Sequence, residues 1–331
     1  MKANYDVIII GGGPAAYTAA IYTSRASLST LLVTGDVPGG QLLLTSEVEN
    51  FPGFREGIMG PELMDHMLAQ AKRFGTVVEQ SFVTAIEPRT GEHTVKLAEG
   101  APLKQVTAKS VIVATGASAQ WLGLDNETRL MGKGISACAT CDGYFFKDKK
   151  VVVVGGGDSA MEEALTLTNF ASEVIVIHRR DSLRASQIMQ DRAKRNPKVR
   201  FIWNAAVTDV FGEKFVDGVE VHNLVQDTKQ RLDCNGLFVA IGHLPATSFV
   251  ANLLKLDAKG YIQTKDIVFT NIEGIFAAGD VADPHYRQAI TAAGDGCRAA
   301  LEAEHYIQGL PTSGSEVHTV ALAGEKLNKS K

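Results

Sequence analysis

Cysteine is scarce here, with four residues in a chain of 331. So few cannot make the disulfide framework on which small secreted domains depend. No stretch approaches the roughly 20 consecutive apolar residues that a membrane-spanning helix requires. The apolar run near the start, Val7 to Ile10, is cut off by Gly11-Gly12-Gly13. It is too short for the core of a secretory signal, and no cleavage pattern follows it. Dense basic tracts are also missing, and the formal net charge is -4. Phosphate binding needs clustered lysine and arginine, so nucleic acid is not an expected partner. Low-complexity segments and helical repeats are absent as well. These gaps leave a soluble, cytoplasmic protein, with no membrane contact, as the expectation.

What is present is enough to build cores. Hydrophobic residues make up 45% and charged residues 21%, a balance typical of folded domains. The length fits about two of them. The 32 glycines exceed the usual share of roughly 7%, which implies many tight turns or close backbone approaches to ligands.

One pattern occurs twice. Tyr5 to Ile10 leads into Gly11-Gly12-Gly13-Pro14-Ala15-Ala16, followed by a helix-like stretch through Ser24. Lys150 to Val154 leads into Gly155-Gly156-Gly157-Asp158-Ser159-Ala160, followed by another through Phe170. Each copy is a β-branched strand, a Gly-x-Gly-x-x-Ala turn and a helix, the opening of a dinucleotide-binding βαβ unit. The first glycine permits the tight turn and the second lets the backbone approach a pyrophosphate. The alanine lets the helix pack close, and its N-terminus faces the phosphates. Two copies imply two dinucleotides. Ser110 to Ala114 reads as a strand that exits through Thr115-Gly116-Ala117, and Gly274 to Ala278 reads as a strand that returns. The expected architecture is therefore α/β, with two Rossmann-like domains, the second inserted into the first. The boundaries are 1–117 and 247–311 for the first domain, 118–246 for the second, and 312–331 for a tail without assigned role.

The sequels of the two loops differ. After the first, the acidic residue expected about 20 positions on is replaced by Thr34-Gly35, with Asp36 just beyond. After the second, the strand Val174 to Ile177 ends in His178-Arg179-Arg180, with Arg184 one turn later. An acid there would bond the ribose 2′-hydroxyl of NAD, whereas guanidinium groups suit a 2′-phosphate. The bland alternative is a solvated basic patch, but its position favours NADP.

Cys138-Ala139-Thr140-Cys141 lets two sulfurs meet in one small ring and reads as a redox dithiol. A zinc half-site would need two further ligands at suitable spacing. Cys234 and Cys297 are isolated, without a nearby histidine pair, and are expected to be small core hydrophobes. No metal is expected. Reducing a disulfide takes two electrons and two protons, so Asp142, next in the chain, is either a proton shuttle or part of an Asp-Gly turn with Gly143.

Together these motifs resemble the low-molecular-weight, bacterial-type thioredoxin reductases, over nearly the whole chain from Asp6 to Leu310. The string Ala137 to Gly143, then Gly155 to Ala160, then His178-Arg179-Arg180 comes in that family's order and spacing. The resemblance implies FAD in the first domain, NADPH in the inserted one, and a homodimer. It also implies a path from NADPH through FAD and Cys138–Cys141 to the disulfide of thioredoxin or a thioredoxin-like protein. It makes Asp142 the proton donor and puts Cys141 nearest the flavin. For FAD it implies Gly11, Gly13, Pro14, Ala15 and Ala16, then Thr34, Gly35, Gly39, Gly40, Gln41 and Leu42. Asn50 would stand near the isoalloxazine, Val83 near the adenine, and Ala114 and Gly116 in the same groove. Gly279 and Asp280 would meet the ribityl chain, and Arg287, Gln288 and Ala289 would start a helix facing the flavin. For NADPH it implies Gly155, Gly157, Asp158, Ser159 and Ala160, then His178, Arg179, Arg180 and Arg184, with Ile241, Gly242 and His243 on an exit strand. Two positions depart from the pattern: Ala16 stands where glycine is frequent, and Asp295 where a neutral residue is usual. A flavin-dependent dithiol oxidase would share the fold but not need the arginine cluster. A related ferredoxin–NADP reductase would lack the cysteine pair. A nucleotide-binding sensor would not be a flavoenzyme.

Overall fold

The computed structural model describes residues 2–310, apart from residues 37, 45 and 46. The expected tail, 312–331, lies outside the described residues. Two β-branched runs organise the molecule. Val7, Ile8 and Ile9 in strand Asn4–Ile10 are fully buried, as are Val151, Val152 and Val153 in Lys150–Val154. Strands with no polar face are covered on both sides, the situation of a parallel sheet wrapped by helices. Asn4–Ile10 accordingly lies between the parallel strands Thr30–Val33 and Gln105–Val113. Val77–Glu79 extends one side of this sheet, and Ile275–Ala277 pairs in parallel with the end of Gln105–Val113. Gln105–Val113 also pairs through its first half with the antiparallel strands His93–Leu97 and Val83–Glu87 beyond it.

Between residues 113 and 275 the chain builds a second parallel sheet. Its order is Ile135–Ser136, Gly236–Val239, Lys150–Val154, Glu173–His178 and Val199–Trp203. A three-stranded antiparallel sheet, which opens with Ala205–Phe211, follows the last of these. The fold is α/β, with one dinucleotide-binding unit inserted into another. The two chain crossings pair with each other: Ala117–Ala119 and His243–Pro245 form an antiparallel ribbon, with Pro245 opposite Ala117.

Local bounds differ modestly from the sequence reading. Glu173–His178 runs one residue further than expected and buries His178. Helix Asp158–Leu167 stops before Phe170, where the chain turns back through bonds from Phe170 and Ala171 N–H groups to Leu167 O. Cys234 is buried, as expected, and burial pushes its thiol up to about 12. Cys297 departs from expectation. It is only half-buried, near the exposed Tyr22.

Candidate active site

The first glycine loop is shaped by what stands behind it. Gly11 adopts φ +138, and a Cβ there would lie 2.0 Å from the Ala114 carbonyl oxygen, so no other residue fits. Gly12 O accepts a bond from Gly39 N at 2.8 Å, which holds the following turn over the loop. Nothing lies within 4 Å of a Cβ built on Gly13. The next helix, Pro14–Arg25, has no side-chain cap, so its first N–H groups remain available to a ligand.

A cavity of about 720 Å³ opens at this loop, within the size range of cofactor sites. Of the residues expected around FAD, Gly11, Gly13, Pro14, Ala15, Thr34 and Gly35 line it. So do Gly40, Gln41, Leu42, Val83, Ala114 and Gly116. Asp280, Arg287, Gln288 and Ala289 close its far end. Ala16, Gly39 and Gly279 do not face it. Ala16 packs in the core, and Gly39 braces the loop from behind. Gly279, at φ +74, turns the chain ahead of Asp280. The motif reading missed Phe82, which stands exposed at the rim opposite Gly35. Asp280 Oδ1 is buried without any hydrogen-bond partner. Burial, reinforced by Asp283, pushes this carboxyl up to about 7. An orphaned buried acceptor is costly unless a donor reaches it, and a polyhydroxylated chain such as ribityl would supply one. The residues present therefore fit FAD.

A second cavity, of about 610 Å³, adjoins the first and shares Gln41, Leu42, Asp280, Arg287, Gln288 and Ala289 with it. Cys138 and Cys141 form a disulfide on its wall, with Cα atoms 5.3 Å apart. Gln288 Nε2 lies 3.8 Å from Cys138 Sγ and 3.9 Å from Cys141 Sγ, while Gln288 Oε1 accepts from Asn50 Nδ2 at 3.4 Å. The disulfide thus faces the part of the first cavity lined by Gln288.

The short turn Ala139–Asp142 sets the sulfurs. Cys138 Sγ accepts from Cys141 N at 3.1 Å, and Cys138 N donates to Ser136 Oγ at 3.0 Å. Burial raises the Asp142 carboxyl above its ordinary range, with the Ser136 hydroxyl opposing the shift. A further acid, absent from the sequence reading, stands alongside. Glu163, in helix Asp158–Leu167, accepts the backbone N–H of Ala139. Burial pushes Glu163 up to about 7, against the pull of the Ala139 N–H and of Arg287. Arg287 itself, at φ +50, approaches His243 Nδ1 at 3.3 Å across the two units. Burial and the Arg287 charge push His243 down to about 4, so it is neutral at pH 7.

The second glycine loop repeats the first: Gly155 has φ +156, and a Cβ there would lie 2.4 Å from Ala240 O. That contact sets Ala240-Ile241-Gly242 beside the loop, while His243 faces Arg287. Space above Gly157 is open and the helix it starts is uncapped. Ala160 is buried, and Ser159 half-buried. Asp158 bonds Ser186 N and Oγ at 2.8 and 2.7 Å, bracing the loop. His178 is buried under Gly156, whereas Arg179, Arg180 and Arg184 are exposed. None of the three arginines joins an ion pair among the described residues. Three free guanidinium groups beside an open glycine loop fit a dinucleotide bearing a 2′-phosphate. This loop lines neither of the two cavities above.

Two dinucleotide loops on separate sheets, with a disulfide presented to one of them, define a disulfide oxidoreductase linked to two nucleotide cofactors. The chain belongs to the pyridine nucleotide-disulphide oxidoreductase family, whose model matches residues 5–296. Within that family it is similar to several thioredoxin reductases. The thioredoxin reductase of Streptomyces clavuligerus is 51% identical over 310 residues, covering 93% of this chain and 95% of the relative. The solved thioredoxin reductase of Streptococcus pyogenes is 41% identical and superposes with a TM-score of 0.89, covering 94% of this chain and all of that one. The Lactococcus lactis thioredoxin reductase, solved in an FR conformation, is 42% identical, covers 92% of this chain and all of that one, and has a TM-score of 0.62.

Proposed function

We propose that this chain is an NADPH-dependent, FAD-containing thioredoxin-disulfide reductase. The observation that carries the reading is the Cys138–Cys141 disulfide facing the flavin end of one dinucleotide site, on the same unit as an arginine-marked second site. Bound FAD and NADPH supply hydride chemistry, which the side chains here do not. The chain's residues do the rest. Gly11 and Gly13 admit the first pyrophosphate, and Asp280 accepts from the ribityl hydroxyls. Gln288 and Asn50 set the face on which the sulfurs approach. Reduction of the pair requires two protons as well as two electrons, and Asp142, whose carboxyl burial raises above its ordinary range, stands next to the sulfurs to pass one on. The reduced pair then attacks the disulfide of thioredoxin; the second sulfur resolves the mixed disulfide and Cys138–Cys141 re-forms. An anaerobic titration with NADPH and then oxidised thioredoxin tests the scheme: flavin absorbance should bleach with the first and return with the second.

The arginines favour this reading over a flavin-dependent dithiol oxidase, which has no need of NADPH. Arg179→Ala or Arg180→Ala removes a charge-assisted bond worth roughly 1.5–3 kcal/mol. The KM for NADPH should rise roughly ten- to hundredfold with NADH use little changed. Equal losses with both nucleotides would remove the 2′-phosphate from the assignment. Asp280→Ala is expected to weaken FAD binding by a similar factor of roughly ten to a hundred, read by fluorescence titration of the flavin-stripped protein. Unaltered affinity would place the ribityl chain elsewhere.

A homodimer fits the exposed apolar side chains Tyr22 and Leu301, which share a surface because Tyr22 meets Cys297, one turn from Leu301. A cytoplasmic site of action fits a catalytic dithiol that must be kept reducing. Among the described residues, no helix is long and apolar enough to cross a membrane.

A further inference from the structure

The redox turn and the nucleotide helix are joined by one half-buried side chain. Helix Asp158–Leu167 begins at the second glycine loop, and one turn in, it sends Glu163 onto the backbone N–H of Ala139, between the two cysteines. The neighbouring Glu162 is exposed. We infer that Glu163 is a positioning residue for the dithiol: its carboxylate fixes the Cys138–Cys141 turn and sets the pH at which the reduced pair ionises. This rests on the reading of Cys138–Cys141 as the redox centre.

Cys138 Sγ already receives the N–H of Cys141, which would stabilise a thiolate there. The N–H of Ala139 is the next donor available to that sulfur, and Glu163 occupies it. An anionic carboxylate bonded to the residue that follows Cys138 also repels a thiolate and keeps the thiol protonated to higher pH. The groups facing Glu163 are Glu162 on its own helix, Asp142 on the redox turn and Arg287 from the other unit. The two acids oppose its ionisation and Arg287 favours it. With burial dominant, Glu163 titrates near neutrality, within range of an activated thiol. Two interacting groups that titrate close together share their protons, so the reduced pair should ionise in two overlapping steps.

The test uses the full chain, reduced with dithiothreitol, without NADPH. Alkylation rates at Cys138 and Cys141 are followed against pH with iodoacetamide and peptide mass spectrometry. Glu163→Gln keeps an oxygen that can accept the Ala139 N–H but removes the charge. It should lower the ionisation midpoint by about one unit and sharpen the profile to one step. Glu162→Gln should leave the profile in place. If Glu163 only holds the turn, Glu163→Ala alone will alter the profile, and an unchanged midpoint in Glu163→Gln overturns the inference. A single one-proton step in the wild type overturns it too, without any variant. Failure of the functional reading looks different: no NADPH-driven reduction of thioredoxin, alongside a shifted Glu163→Gln midpoint, leaves the inference standing.

Discussion

Cys138→Ser and Cys141→Ser should each cut NADPH-dependent reduction of thioredoxin by roughly three orders of magnitude or more, the largest loss expected from any single change here. The reason is that exchange with a partner disulfide needs one sulfur to attack and another to release the partner, and serine does neither. FAD content should be unchanged. No contact in the first cavity depends on a sulfur bonded to a sulfur; the cysteines touch it only through Gln288 at 3.8–3.9 Å. Bound flavin should therefore still bleach on addition of NADPH, which separates loss of the dithiol from loss of the cofactor sites. Cys234 and Cys297 provide the control. One is buried with its thiol pushed up to about 12, and the other is half-buried far along the chain. Their serine variants should reduce thioredoxin at near wild-type rate. Substantial turnover by either Cys138→Ser or Cys141→Ser would show that another electron path exists.

What the sequence revealed and what it hid follow from the range of each signal. The strands Asn4–Ile10 and Lys150–Val154 were legible because four consecutive β-branched residues ending in glycine are a local pattern. The cysteine pair was legible for the same reason. Asn50, Asp280 and Gln288 carry no local signature. Resemblance alone named them, and the fold brings them to one place from distant segments. Glu163 escaped altogether. Glu162-Glu163 inside a helix looks like a solvated face, and nothing in the string Met161 to Leu165 says which acid turns inward. Only the seating of that helix against Ala139–Asp142 decides it. Phe82 was hidden similarly, since its place over Gly35 depends on the pairing of distant strands. Cys297 was misjudged because an alanine-rich helix resembles a core helix on all sides until its neighbour is known.

Tying the inserted unit to the FAD-binding unit by an engineered disulfide should stop steady-state turnover while sparing half of the reaction. Cys138 and Cys141 stand on the inserted unit, and so does the glycine loop Gly155 to Gly157. The two are tied together, since helix Asp158–Leu167 starts at the loop and its Glu163 bonds Ala139. In the orientation described here the sulfurs face the part of the first cavity lined by Gln288, and the second loop lines neither cavity. NADPH on that loop cannot reach the same place without moving the sulfurs away, and thioredoxin needs those sulfurs exposed. Both demands are met by rotating the unit about its two connections. These are the paired strands Ala117–Ala119 and His243–Pro245, a narrow ribbon of the kind that serves as a hinge. The relatives support such a motion. The Streptococcus pyogenes and Lactococcus lactis enzymes are equally distant in sequence, at 41% and 42% identity, yet superpose with TM-scores of 0.89 and 0.62. A difference that large at equal identity and full coverage points to arrangement of parts, not to divergence of them. A cross-link formed in the present orientation should leave exchange of electrons between dithiothreitol-reduced Cys138–Cys141 and flavin intact. NADPH should then fail to bleach the flavin, and thioredoxin turnover should fall to background until the cross-link is reduced. A verified cross-linked enzyme that turned over at the normal rate would show that one fixed arrangement serves both nucleotide and partner.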